Sequence, residues 1–388
     1  MFLLASPASA QIEPKIVARA EFPAGIAFDS AGGMYVSERA GRILVWDDTR
    51  RGEVVASVAT TTSGEAGLLG LAVSPDDRHV YAFATAADGA TNVVYRVPTE
   101  GGTAEVIIDG LPAGSYHNGG GVAFGHDGML YVSNGETHSS DRAQDPSQLG
   151  GKVYRYTADG AVPNDNPFGD SPAFAIGYRN PFGLAIDPVS GNPFVTENGP
   201  QSHDEIDRIV AGGNGGWPVT SGAAGDTDTS SLRGDYQDPI VDYEQIIVPT
   251  GIAFADPANA EAQVAGDLFF AAYGEQTIHR ITLDAARASA IRDRILLESS
   301  EPVIALAWGP KGLYYSTPGA VHLIPLAVEG ARPTKRPISP GEAPSPRFTL
   351  SDNDPLRDEP RGPSPLWFVG AAVVLLGGAL AYAFRRRE

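Results

Sequence analysis

The stretch His117-Asn118-Gly119-Gly120-Gly121-Val122-Ala123-Phe124-Gly125-His126-Asp127-Gly128-Met129-Leu130-Tyr131-Val132-Ser133-Asn134-Gly135-Glu136 decides the fold. It holds a short strand opened by a glycine, a GHDG turn, and a second apolar strand closed by Asn-Gly. The opening pattern is a small residue, an aliphatic, alanine, then an apolar residue. It recurs as Gly25-Ile26-Ala27-Phe28, Gly70-Leu71-Ala72-Val73, Gly183-Leu184-Ala185-Ile186, Gly251-Ile252-Ala253-Phe254 and Ala305-Leu306-Ala307-Trp308. Each copy is followed by a turn, a second β-rich stretch and a third, the last exemplified by RILVWD (42–47) and KVYRYT (152–157). Strand, turn, strand, loop, strand at a period of about fifty residues is the grammar of propeller blades. Six copies predict an all-β, six-bladed β-propeller over residues 11–328, with small residues where the innermost strands crowd the axis. Residues 11–22 are expected to add an outer strand that helps close the ring.

Composition agrees. The chain of 388 residues carries 46 glycines and 31 prolines, as many tight turns require, and 42% hydrophobic residues, enough for a large core. Its 28 basic and 47 acidic residues leave a formal charge of −19, which argues against nucleic acid as a partner. Without cysteine, disulfides, thiolate metal sites and cysteine nucleophiles are excluded, and metal ligands must be oxygen or imidazole.

The flanks carry other signals. Met1–Ala10 ends in Ala8-Ser9-Ala10 and reads as the remnant of a secretory signal. Residues 329–365 contain Pro333, Pro337, Pro340, Pro344, Pro346, Pro355, Pro360, Pro363 and Pro365 and are expected to form a disordered, Pro-rich stalk. Residues 366–384 (LWFVGAAVVLLGGALAYAF) carry no charge and have the length of a helix crossing ~30 Å of hydrocarbon. Arg385, Arg386 and Arg387 follow, so the 385–388 tail is expected to be cytoplasmic. The expectation is a single-pass protein of the cell membrane, with its propeller outside the cytoplasm.

In a propeller, residues just before each inner strand and just after each second strand share one face. This gathers Glu65, His117-Asn118, Arg179-Asn180 and Pro249-Thr250 at one mouth, with Glu136 and Glu197 among the residues that follow second strands. His117 and Arg179 each lie four residues ahead of their pattern glycine, at equivalent posts on adjacent blades. An imidazole there suits a general base and a guanidinium suits a developing anion. The long 137–151 loop is placed to wall a cleft. Residues 199–205 (GPQSHDE) offer the carbonyls and carboxylates that calcium takes, and equally suit a solvated acidic loop.

At these residues the sequence resembles the soluble quinoprotein glucose dehydrogenase and sorbosone dehydrogenase family. The matching pieces are GEAGLLGLAVSPD (64–76), residues 117–136, LGGKVYRY (149–156), NDNPF (164–168), GYRNPFGLAIDPVSGNPFVTENGPQSHDEIDRI (177–209), GGNGGWP (212–218) and PTGIAF (249–254). The resemblance implies a six-bladed propeller holding pyrroloquinoline quinone (PQQ) and Ca2+ at its mouth, with hydride transfer from a sugar or polyol carbon. It makes His117 the base and Arg179 a catalytic and quinone contact, with Asn180 and Thr250 as further quinone contacts. Gly199 and Pro200 become carbonyl donors to a bridging calcium, and Asp204 and Glu205 metal ligands, Glu205 on a second, structural calcium. Glu65 and Tyr116 become substrate contacts. The sequence departs from the family pattern in two places. Tyr116 stands where an acidic partner precedes the histidine, and blades 5 and 6 lack the basic residues that meet the quinone carboxylates, with only Arg280 and Lys311 nearby. Two rival readings follow: a non-catalytic, calcium-stabilised propeller that binds a surface glycan or protein, and a lactonase-type hydrolase. The electron acceptor is left open.

Overall fold

A computed structural model describes residues 13–331, all of which fall in one compact unit. The signal remnant, nearly all of the stalk, the expected membrane helix and the basic tail lie outside the described residues. Among those described, no helix is long and apolar enough to cross a membrane.

The strands build a β-propeller of five four-stranded sheets and one six-stranded sheet. The first comprises Pro23–Phe28, Met34–Glu38, Arg42–Trp46 and Arg51–Ser57, and the second Leu68–Val73, His79–Thr85, Thr91–Pro98 and Glu105–Pro112. The third starts with Val122–Phe124, Leu130–Asn134, Lys152–Tyr156 and Ala173–Ile176, and is extended by Gly213–Asn214 and Asp235–Tyr236, which join in parallel. The fourth holds Pro181–Ile186, Pro193–Glu197, Asp204–Arg208 and Val241–Tyr243, and the fifth Pro249–Phe254, Leu268–Ala272, Thr277–Leu283 and Ala290–Glu298. The last consists of Leu306–Gly309, Gly312–Thr317 and Ala320–Pro325, completed by Lys15–Arg19 from the N-terminus. That strand is the ring closure expected of residues 11–22, and the structure assigns it to the C-terminal blade.

The repeat glycines are where they are because neighbouring blades touch there. A Cβ on Gly183 would strike the carbonyl oxygen of Thr250 in the next blade, and one on Gly70 that of Gly120. Gly25, Gly70, Gly121, Gly183, Gly251 and Ala305 line one common axial cavity. Second-strand hydroxyls latch one blade to the next. Thr196 Oγ1 accepts the Gly183 N–H at 2.8 Å and donates to the Thr250 carbonyl at 2.7 Å. Ser316 Oγ accepts from Ala305 N–H and donates to the Pro23 carbonyl at 2.8 Å, across the closure.

The apolar core lies between blades. One cluster joins Tyr35 and Ile43 of the first to Leu68 and Val80 of the second, and another joins Ile26 and Val36 to Tyr314 and Val321 across the closure. Each of the first five blades also has a fourth strand that the three-stretch repeat does not announce. Ala290–Glu298 is exposed along most of its length, so it lacks the apolar alternation that marks a strand in sequence.

Candidate functional site

His117 sits at the mouth on a loop held by buried asparagines. Asn118, fully buried, accepts the Gly114 N–H at 3.0 Å and donates to the Gly114 carbonyl at 2.7 Å, while Asn134 donates to the Asn118 carbonyl at 2.8 Å. His117 itself has φ 58, a left-handed conformation that costs a non-glycine residue about 1 kcal/mol. Its N–H donates to Glu65 Oε2 at 2.8 Å, which ties this backbone to the neighbouring blade.

The imidazole has an acidic partner that the preceding residue does not supply. Nδ1 lies 2.6 Å from Oε1 of Glu136, which is 2% exposed and stands at the end of the same blade's second strand. Burial alone would raise the Glu136 carboxyl. The hydrogen bond to His117 and the charges of His117 and Arg179 outweigh it and hold this carboxyl below its ordinary value. An ionised Glu136 only accepts, so Nδ1 carries the proton of this hydrogen bond, and in the neutral imidazole the lone pair that a substrate can use is the one on Nε2. The acidic partner that position 116 lacks is thus supplied by Glu136. Tyr116 instead packs edge-on against His138, their ring centroids 6.0 Å apart.

Arg179 and Asn180 occupy the equivalent post one blade on. Both backbone N–H groups donate to Glu197 Oε1, at 3.0 and 2.7 Å. Asn180 Oδ1 accepts the Gly119 N–H at 3.0 Å and its amide donates to Glu65 Oε2 at 3.4 Å, so Asn180 and Glu65 knit three blades together. The Arg179 guanidinium lies over the Trp217 ring at 5.7 Å and donates to the carbonyls of Asn198 and Gly199 at 2.8 and 3.1 Å. Burial lowers its affinity for the proton, against the pull of Glu197, Glu136, Glu65 and Asp204. Thr250 is turned to structure: its Oγ1 donates to the Val303 carbonyl at 3.0 Å.

Beside Arg179 the sheet register assembles a row of acids. Glu205 faces Glu197 on one neighbouring strand and Asp242 on the other, and Asp207 lies two residues along on the same face. Like charges directly opposed across strands repel. Burial, then the Asp207 charge, pushes the Glu205 carboxyl up to about 9. Burial also raises Glu197 and Asp207, whose Oε2 and Oδ2 are enclosed without a hydrogen-bond partner. Asp204, by contrast, spends both oxygens on backbone N–H groups: Oδ1 accepts from Gly199, and Oδ2 from Ile247 and Val248 at 2.7 and 2.8 Å. Its part is to pin two loops, not to offer a metal an open carboxylate.

A propeller whose mouth joins a carboxylate-held histidine to an arginine on the next blade is the arrangement the sequence resemblance implied. The glucose/sorbosone dehydrogenase family model matches residues 20–320. The chain belongs to this family. Aldose sugar dehydrogenase YliI of Escherichia coli is 28% identical over 51% of this chain and 56% of its own length. Quinoprotein glucose dehydrogenase B of Acinetobacter calcoaceticus is 29% identical over 50% of this chain and 49% of its own. The alignments thus span about half of these two relatives. Among solved structures, the PQQ-bound aldose sugar dehydrogenase of Streptomyces coelicolor superposes with a TM-score of 0.69 at 30% identity, covering 82% of this chain and 98% of that one.

As a member of the glucose/sorbosone dehydrogenase family, the chain can be tested against the family's cofactors. In the acid row, Glu197 Oε2 and Asp207 Oδ2 are enclosed without partners and would be relieved by a cation such as calcium, although among the described residues the three ligand groups that converge within 4.8 Å are those of His117, Glu136 and His138. At the loop tip the Gly199 carbonyl is already engaged by Arg179, and Pro200 is exposed. The quinone's three carboxylates find Arg179 at the mouth. Arg280 pairs with Asp267, and Lys311 lies in the turn between the first two strands of the last blade, both on the opposite face. Arg39, directly after the second strand of the first blade, donates to the carbonyls of Thr62, Gly64 and Ala66. The guanidinium that the described mouth offers a tricarboxylate, Arg179, lies within the charge influence of Glu197, Glu136 and Glu65.

The 137–151 loop walls a cleft as expected. It forms the short helix Asp141–Gln144, and Gln144 exchanges amide hydrogen bonds with Asn214 at 3.0 and 2.8 Å. Arg142, Gln148 and Leu149 then face Ala90, Pro112 and Ala113 across an open cleft of about 430 Å³. Asp207, Asp242 and His138 join the site without having been singled out in sequence, and Glu136 and Glu197 join it after being placed at the mouth without a role. For Glu136 and Glu197 the available signal was their shared position after second strands.

Proposed function

We propose that the protein is a membrane-anchored, extracytoplasmic oxidoreductase, dependent on PQQ and calcium, that oxidises a hydroxyl of a sugar or polyol. The observation that carries this is the His117–Glu136 pair, buried and 2.6 Å apart, at the mouth of a glucose/sorbosone dehydrogenase propeller. When bound, PQQ supplies an electrophilic carbonyl that accepts a hydride from the substrate carbon. The chain's own residues do the rest. Nε2 of His117 takes the hydroxyl proton, and Glu136 holds Nδ1–H and stabilises the imidazolium that forms. Arg179 meets anionic oxygens of the cofactor, and Glu197, Glu205 and Asp207 hold calcium.

Purified protein given calcium and PQQ is expected to reduce an artificial dye when supplied with aldoses, and His117→Ala to abolish this. Absence of quinone binding in an absorbance titration at micromolar concentration would overturn the proposal. A second reading, a calcium-stabilised propeller that binds a glycan or protein without catalysis, is favoured by the placement of Arg280 and Lys311 away from the mouth. It requires that His117→Ala leave ligand binding intact.

A further inference from the structure

His138 has no part in the oxidation just described, yet the backbone goes out of its way to place it. Thr137 and His138 have φ 51 and 61, two successive non-glycine residues in the left-handed region. Each costs about 1 kcal/mol. The result is an imidazole whose ring centroid lies 4.2 Å from that of His117, tilted by 40°. Two imidazoles this close repel when both are protonated, so something other than a pair of cations must suit the arrangement.

One ligand atom from each of His117, Glu136 and His138 lies within 4.8 Å of the others. Glu136 Oε2 is enclosed and has no hydrogen-bond partner, although its residue is 2% exposed. The surroundings are acidic, with Glu65 on the His117 N–H. Two imidazoles and a carboxylate form the donor set of borderline divalent ions such as zinc, whereas calcium and magnesium prefer oxygen alone. His138 is exposed and leaves a path for entry.

We infer that His117, Glu136 and His138 form a binding site for a divalent transition-metal ion of the zinc class, distinct from the acid row, and that its occupation silences the base. The ion takes the place of the proton shared by His117 Nδ1 and Glu136 Oε1. The pair opens from 2.6 Å to about 3.3 Å, the edge of a tetrahedral zinc site. His138 supplies the third ligand and water the fourth, and the proton displaced from Nδ1 is carried on Nε2 of His117, which thereby loses the lone pair that would accept the substrate's proton. The inhibitory consequence rests on the proposed oxidation; the binding does not.

The test is a calorimetric titration of the full-length protein with Zn2+, in excess Ca2+ and without quinone, beside visible spectra recorded with Co2+. The expected result is one tight zinc per chain, four-coordinate cobalt bands, and a loss of affinity of at least about tenfold in His138→Ala and Glu136→Gln. His138→Ala alters an exposed side chain, and its melting curve checks that it folds. In the dye assay, zinc should inhibit the wild type, and His138→Ala should resist inhibition relative to its own metal-free rate. Equal zinc affinity in wild type and His138→Ala, or no binding at micromolar zinc, would overturn the inference. Zinc binding by a chain that turns over no sugar would sink the oxidoreductase reading alone; turnover that ignores zinc, in a chain that does not bind it, would sink this one alone.

Discussion

On the proposed calcium site, chelation should leave the fold sensitive to alkali, and Glu205 sets the size of the effect. Its carboxyl moves from an ordinary 4.5 to about 9 in the calcium-free fold, through burial and the neighbouring Asp207. The folded value is raised, so the contribution is fully present below about pH 4.5 and is lost as pH rises toward about 9. One unit is worth about 1.4 kcal/mol. At pH 7 the carboxyl has therefore cost the fold about 3 kcal/mol relative to pH 4.5. For a fold of about 300 residues, with an unfolding entropy of about 2 cal/mol/K per residue, this corresponds to a fall in Tm of about 5 °C. Glu197 and Asp207, also raised by burial, act in the same direction. Calcium should reverse the fall, because a divalent cation among these oxygens favours their ionised forms. The assay is a set of melting curves from pH 5 to 8 in chelator and in calcium. Glu205→Gln should flatten the chelator series, raise Tm at pH 8 without calcium, and shrink the gain from calcium. Wild-type and Glu205→Gln curves that run parallel within about 2 °C in chelator would refute the reasoning.

Two further outcomes follow from other parts of the structure. Glu136→Gln keeps a hydrogen-bond acceptor for His117 Nδ1 but removes its charge, a difference of about 1–1.5 kcal/mol. Dye reduction should fall by about tenfold in kcat with little change in KM; an unaltered kcat would show that the pair does not serve the base. Thr196→Val deletes a latch between blades and strands both the Gly183 N–H and the Thr250 carbonyl in a buried seam. A loss of about 2–4 kcal/mol should appear as a lowered urea midpoint, and a midpoint unchanged within error would mean that water replaces the hydroxyl.

Much of the fold could be read along the chain. The repeat glycines and alanines carry a steric demand that holds wherever blades meet an axis, so Gly70 and Gly183 signalled their contacts before those contacts were seen. The outer strands could not be read in the same way. Ala290–Glu298 is exposed on most of its length, and the pieces that widen the third sheet are two residues each, too short to carry a pattern. His117 and Arg179 were legible because equivalent offsets from two repeats placed them at one mouth.

The sequence by itself determined the propeller architecture, the family, and the side of the disc on which the chemistry gathers, because these depend on local periodicity and on spacing from repeat to repeat. Only the tertiary structure decided which side chains pair. It gave His117 its acid from Glu136, 19 residues on, in place of the Tyr116 beside it. It spent Asp204 on backbone amides, and it set Glu205 against Glu197 and Asp242 through strand register. It also turned Arg280 and Lys311 away from the mouth. Partners that meet across strands are fixed by register and loop conformation, and a linear pattern of residue types does not encode either one directly.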